Sequence, residues 1–485
     1  MRITVQDIVI AAGGTLVSGD KEAVVTSAST NSREIEPGAL FVPVIGERVD
    51  AHCFIPQVIE KGAKAAFISH DIKAEWKSED GTFACIRVED TVRALQKLAA
   101  WYRNRFFVPV IGITGSVGKT TTKEMIAAAL ETEKNILKTK GNQNSQIGVA
   151  MMMLCLEKEH ELAVIEMGMS EPGEMMRLAG IARPETAVMT NIGVSHIGQL
   201  GSKENIRKEK MNIINEMPER GNLYYNGDDE LLSQIPGLGQ ERKEDLLDEE
   251  TRKKLPSVSL HAFGMGEDCE FRAKDIVIEQ GTTSFVCVYP EGNVRVSLAV
   301  PGRHNVGNAL VALAIAHQYG VDMERAAEGL AGYRPPDMRG QVIRLGETIL
   351  IDDTYNASPD SMKSAVEVLL STEPASEHIV VFGDVLELGR VSESCHEEVG
   401  VYLANASFHG NKVTELVTLG EQAKYIAKGA MKTAPSLPVH SFDTREEVTG
   451  YLKKRLKKDT AVVLKGSRGM HMDEIVKELT ACLQK

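Results

Sequence analysis

The chain has 485 residues, 43% hydrophobic and 25% charged, a globular profile that excludes disorder, collagen and coiled coil. At about 150 residues per domain, this length allows about three domains. The formal charge of −13 argues against a nucleic-acid partner, while local cations and backbone N–H groups still allow anionic small substrates.

The amino end, MRITVQDIVIAAGG, does not read as a signal peptide, because Asp7 interrupts its apolar run. No stretch reaches the ~18 apolar residues that a membrane span needs. A first domain, mixed α/β and smaller than the rest, is expected over 1–88 and closes at ACIRVED (84–90). A helical pattern from Thr91 to Arg105 opens a central domain expected over 89–334. There VPVIGITG (108–115), ELAVIEMGMS (161–170) and VMTNIGVSHIG (188–198) read as buried strands. The charged run QERKEDLLDEETRKK (240–254) reads as a solvated excursion. Pro335–Pro336 stiffens the passage into a third domain expected over 335–485. In it VIRLGETILIDD, HIVVFGDV (378–385), TELVTLG (414–420) and TAVVLKGS (460–467) alternate with helical stretches. The alternation predicts α/β domains with parallel sheets, the last of them Rossmann-like and doubly wound. The seven cysteines (Cys53, Cys85, Cys155, Cys269, Cys287, Cys395 and Cys482) are scattered, odd in number and without a CxxC. They are expected to be reduced thiols, which places the protein in the cytoplasm.

The strongest local signal is GITGSVGKTTTK (112–123), entered by an apolar strand and left by a helical pattern. That is the context of a phosphate loop, and it makes the central sheet P-loop ATPase-type. Gly115 and Gly118 let the backbone turn so that N–H groups face phosphate oxygens, with Ser116 and Thr121 in the same loop. Lys119 would reach the β- and γ-phosphates, and Thr120 would place its hydroxyl on Mg²⁺. Ile113 stands where the common pattern has glycine, so a plain Gly-rich turn with a surface lysine is the competing reading. Glu166 and His196 follow buried strands, at the end of a parallel sheet where ligands gather. Glu166 suits Mg²⁺ or a strand-end ion pair, and His196 suits a metal or a loop hydrogen bond. The amides of KTKGNQNSQIG (138–148) suit substrate recognition or turn-capping equally.

GITGSVGKTTTK, KGNQNSQIG, AVIEMG, TNIGVSHIGQLGS, PGRHNVGNALVA, MRGQ and IDDTYNASPDSM occur in an order that resembles the Mur ligase family, over nearly the whole chain. That family makes amide bonds of peptidoglycan precursors with ATP, through an acyl phosphate. The stretches TNSREIEPGALFVPVIGERVDAHCF (30–54) and FGDVLELGRVSESCHEEVG (382–400) most resemble the members that add D-alanyl-D-alanine to UDP-MurNAc-tripeptide. The resemblance implies two Mg²⁺ ions held by Thr120, Glu166 and His196, with Lys210 carbamylated as a further oxygen ligand. By residue pattern alone Lys210 reads as a solvated helix charge. His304, Asn305 and Asn308 match the adenine-side motif, and Arg339 and Asp353 match nucleotide contacts from the third domain. Asn31, Ser32, Arg33, Arg48 and His52 match the uridine-sugar block of the first domain. Thr139, Asn142 and Asn144 match the loop that meets the muramoyl-peptide. Tyr355, Asn356, Lys465, Ser467 and Arg468 are expected near substrate from the last domain. The family implies a monomer, with small-molecule substrates and no membrane span. A phosphate loop alone leaves open an NTPase switch without ligation, and the core alone leaves open a different acceptor or amine.

Overall fold

Three large sheets, each with its own helices, follow one another along the described residues, beside two small two-stranded ones. The computed structural model describes every residue except 79, 239–245, 280, 373–374, 457 and 484–485. The first sheet has five strands in the order Thr15–Ser18, Ala84–Arg87, Ala65–Ile68, Ala39–Phe41, Ser27–Ser29. Only its Thr15–Ser18 edge is antiparallel. Asp90 then caps the helix Thr91–Arg103, its carboxylate accepting the N–H groups of Val92 and Arg93.

The central sheet has nine strands. Its heart is parallel: Ile136–Lys138, Leu162–Glu166, Val110–Thr114, Thr186–Met189, Asn222–Asn226 and Ser259–Gly264, in that spatial order. VIGIT, LAVIE and TAVM are buried at every position, as strands covered on both faces must be. Helix His304–Gln318 is apolar nearly all round and packs in the same core as helix Lys119–Leu130. One part departs from the expected alternation. Phe271–Glu279, Thr282–Tyr289 and Gly292–Leu298 form an antiparallel meander with no helix between them. Their inside-out alternation shows why: only one face packs on the core. Of the charged run at 240–254, residues 240–245 lie outside the described residues, and Glu249–Lys254 is a short helix.

The third sheet has six strands in the order Gln341–Leu345, Thr348–Asp352, Thr460–Lys465, Glu377–Gly383, Glu415–Leu419, Val439–Phe442. All but the first pair run parallel. This is the doubly wound arrangement expected, and its strand ends face the phosphate loop of the central sheet. Among the described residues, no helix is long and apolar enough to cross a membrane.

Candidate active site

The phosphate loop joins strand Val110–Thr114 to helix Lys119–Leu130. At Gly115, with φ +147°, a β-carbon would lie 1.9 Å from Thr190 Oγ1, so only glycine fits. Gly118 (φ +85°) begins the helix. The neighbouring strand end staples the loop. Ser116 N–H donates to Asn191 O (3.0 Å) and Val117 N–H to Asn191 Oδ1 (2.8 Å), while Thr190 Oγ1 donates to Val117 O (2.6 Å). Thr190 and Asn191 were not among the expected site residues. Their place in TNIG, directly after a buried strand, was the available signal. Lys119 Nζ donates to Gly115 O (2.7 Å) and Ser116 O (3.3 Å). Burial lowers its pKa, with Glu166 opposing and Arg339 adding to the fall.

Glu166 is only 2% exposed. Its carboxylate accepts Thr120 Oγ1–H at 2.9 Å and Asn144 Nδ2–H at 2.8 Å. Its backbone N–H donates to Thr139 Oγ1 (2.9 Å), and buried Lys123 donates to Thr139 O (2.8 Å). Thr139 therefore sits beneath the site and fixes Glu166, while Asn142 and Asn144 line the cavity. A hydroxyl and a carboxylate oxygen in hydrogen-bond contact are the donor chemistry of a hard cation, so the residues present fit Mg²⁺. Lys210 is 1% exposed and donates to the same Gly115 carbonyl (3.0 Å). Burial first, and the charge of Lys119 second, push its amine well below the usual lysine range. His196 stands in the left-handed region (φ +62°), with Nδ1 2.8 Å from Glu387 Oε2 of the third domain. Burial lowers its pKa against the pull of Glu387, and the charges of Lys119 and Lys210 add to the fall.

Helix His304–Gln318 adds a second wall. Asn308 Oδ1 accepts Thr122 Oγ1–H (3.0 Å), and Asn305 Nδ2 donates to Pro301 O (2.8 Å). The third domain closes the cavity. Arg339 lies 4.0 Å over the Tyr355 ring. Lys465 Nζ donates to Asp353 Oδ2 (2.6 Å) and Asn356 O (2.9 Å). The cavity is about 690 Å³, of ligand size. It is lined by the phosphate loop, Glu166, His196, His304, Asn305 and Asn308, and by Arg339, Asp353, Tyr355, Asn356 and Lys465. Ser467 and Arg468 do not line it; Ser467 Oγ instead accepts Leu386 N–H at 2.8 Å.

A second cavity, about 510 Å³, lies between the first and central domains. Asn31 and the 27–30 strand end face it from one side, and Asn142, Gln143 and Ser145 from the other. Asn142 and Ser145 border both cavities. Ser32, Arg33, Arg48 and His52 lie outside its lining. His52, 2% exposed, has both ring nitrogens engaged: Nδ1 with Asp50 Oδ1 (2.6 Å) and Nε2 with Ser69 N–H (3.1 Å). Against a burial penalty, hydrogen bonds from His52 and His70 hold Asp50 down at about 2. The Ser69 N–H makes Nε2 the acceptor, so Nδ1 carries the proton toward Asp50. His52 is thus built into its loop.

A phosphate loop whose site is closed by a Rossmann-like third domain and bordered by a smaller first one defines a three-domain nucleotide-binding enzyme. Family models match in the same order: Mur ligase family, catalytic domain over 9–103, Mur ligase middle domain over 113–316, and Mur ligase, glutamate ligase domain over 338–468. The chain belongs to the Mur ligase family. It is 35% identical to the UDP-N-acetylmuramoyl-tripeptide–D-alanyl-D-alanine ligase of Bacillus subtilis, over 98% of both chains. It is 34% identical to the Escherichia coli enzyme of that name, over 93% of both. A crystal structure of MurF from Acinetobacter baumannii superposes with a TM-score of 0.86 at 31% identity, over 99% of both chains. MurF from Thermotoga maritima in complex with ADP gives 0.78 at 27% identity, over 95% of this chain and 98% of that one.

Proposed function

We propose that this protein uses ATP to join D-alanyl-D-alanine to UDP-MurNAc-tripeptide, the reaction named for its relatives in Bacillus subtilis and Escherichia coli. The observation that carries this reading is the meeting of two cavities at Asn142 and Ser145. A nucleotide-sugar in the smaller cavity would direct its peptide toward the phosphate loop in the larger. The peptide's terminal carboxylate attacks the γ-phosphorus and ADP leaves. The amine of D-alanyl-D-alanine then attacks the acyl phosphate, loses a proton and expels phosphate as the amide forms. Carboxylate and γ-phosphate repel each other, so cations must converge where they meet. Lys119 supplies one. Mg²⁺, when bound, supplies more charge neutralisation, with Thr120 and Glu166 as one set of holders and His196 with carbamylated Lys210 as the other. Carbamylation needs a neutral amine, and a buried amine sharing one carbonyl with Lys119 is disposed to be neutral. His304, Asn305 and Asn308 would hold the adenosine side, and Arg339 and Asp353 would bring the third domain to the nucleotide. Since all seven cysteines are free, we place the enzyme in the reducing cytoplasm, acting as a monomer whose site one chain completes.

The test is phosphate release from Mg·ATP with UDP-MurNAc-tripeptide, with and without D-alanyl-D-alanine, and mass spectrometry of the product. Release should need both substrates, and the product should gain one dipeptide. Release that needs neither would point to an NTPase switch, and release only with another amine would overturn the acceptor pair.

A further inference from the structure

The block FGDVLELGRVSESCHEEVG (382–400) contributes no residue to the cavity lining, yet it builds a rigid loop. Asp384 Oδ1 accepts Ala423 N–H (2.7 Å). Val385 N–H donates to Nε2 of fully buried His396 (3.0 Å), whose Nδ1 donates in turn to Ser392 O (2.7 Å). Leu386 N–H donates to Ser467 Oγ (2.8 Å). Three successive residues are thus pinned before Glu387, which itself stands at φ +67°. This loop meets the central domain at His196, another non-glycine residue at positive φ. Glu387 Oε2 lies 2.8 Å from His196 Nδ1, and Glu387 O accepts Gly198 N–H (3.2 Å). The backbones touch: a β-carbon on Gly198 would lie 2.8 Å from Glu387 O, and one on Gly389 would lie 3.1 Å from Gly198 Cα. This Nδ1 is buried and makes no hydrogen bond among the described residues, the Glu387 carboxylate standing beside it at ion-pair distance without being in line for one. Two strained residues held face to face across a domain boundary point to function.

We propose that Glu387 is a positioning residue for the His196 metal site, its carboxylate accepting a hydrogen bond from Nδ1–H when the metal is bound so that Nε2 is the nitrogen offered to the cavity, and that this site is complete only while the third domain is docked. Carboxylates behind ligand histidines fix the tautomer and ring orientation in this way. Because the carboxylate comes from another domain, metal affinity and domain docking are linked, each favouring the other. The inference rests on the two-metal reading above.

The test uses the full chain with a non-hydrolysable ATP analogue and Mn²⁺ as the probe. Bound Mn²⁺ is counted by electron paramagnetic resonance, and imidazole nitrogen coupling is read by spin-echo modulation. The unaltered protein should bind two Mn²⁺, one with nitrogen coupling. Glu387→Ala should weaken that one about 10- to 100-fold and remove the coupling. Glu387→Gln, whose amide oxygen still accepts Nδ1–H without charge, should fall between. Gly198→Ala should act in the same direction by pushing the loop away. The other Mn²⁺ should be unchanged in all three, which controls for folding. Equal affinity for both ions in Glu387→Ala and the unaltered protein would overturn the inference alone. A single Mn²⁺ without nitrogen coupling in the unaltered protein would overturn the two-metal reading with it.

Discussion

Lys119 and Lys210 converge on one carbonyl oxygen, that of Gly115, at 2.7 and 3.0 Å. Two ammonium ions there would repel each other in a place that water scarcely reaches, so one of the pair is disposed to be neutral. Lys210, the more buried, is the one whose pKa falls furthest out of the lysine range. Its carbamate would put a carboxylate where the amine now is, replacing repulsion with a hard oxygen ligand. Lys210→Ala should therefore lower kcat about 10²- to 10³-fold. Short carboxylic acids, filling the carbamate's place, should restore part of the lost rate. Full activity of the folded variant would remove Lys210 from the site, as would an inactive variant that acetate and propionate leave unrescued. The sequence RKEKMN gave little hint of this environment. Charge is the usual sign of solvent exposure, yet Arg207, Glu209 and Lys210 on helix Lys203–Met211 are all buried. His52 was expected beside the uridine-sugar from the resemblance of its block, and what the fold adds is that Asp50 and Ser69 engage both of its ring nitrogens.

Helices place the phosphate loop, and their packing is tight enough to be tested. Helix Met323–Ala331 crosses helix Lys119–Leu130 at Gly329, where a β-carbon would lie 2.1 Å from Ala128 O. Backbone cannot yield as a side chain can, so Gly329→Ala must part the two helices. We expect a loss of about 1–3 kcal/mol in stability, the usual scale of overpacking. Because the displaced helix carries Lys119 and Thr120 in its first turn, the apparent KM for ATP should also rise. Denaturant unfolding and steady-state kinetics check the two effects, and unchanged values for both would mean the contact relaxes without cost. The elements themselves were largely legible. Apolar runs such as LAVIE and TAVM mark central strands because both of their faces are covered. The meander at 271–298 was not foreseen, since a parallel sheet with helices between its strands was expected to continue. The phosphate loop was readable because its chemistry is local. Glu387 was not, because its partner is set by how two domains meet.

The whole molecule matters because no single domain holds the site. The larger cavity takes its floor from the central sheet and its cover from residues after Pro335–Pro336. Hydrophobic packing runs on between them, with Ile192 and Ile197 in the same core as Ile351, Val380 and Phe382. A nucleotide lying in this cavity must therefore order amides in two domains at once. Its binding adds stability of about 2.7 kcal/mol at a hundredfold excess over Kd, shared by whatever segments it touches. Hydrogen exchange resolves which segments these are. With Mg²⁺ and a non-hydrolysable ATP analogue, amides at 115–122 and at 353–358 should slow together. Those at 27–31, which border only the second cavity, should not change until the nucleotide-sugar is added. Slowing confined to 115–122 would mean that Arg339, Asp353 and Lys465 cover the cavity without holding the nucleotide. Slowing of all three segments by the nucleotide alone would mean that the two cavities act as one. The expected pattern instead makes ATP the link between the central and third domains, and the nucleotide-sugar the link between the central and first, so that the reacting atoms meet where Asn142 and Ser145 border both.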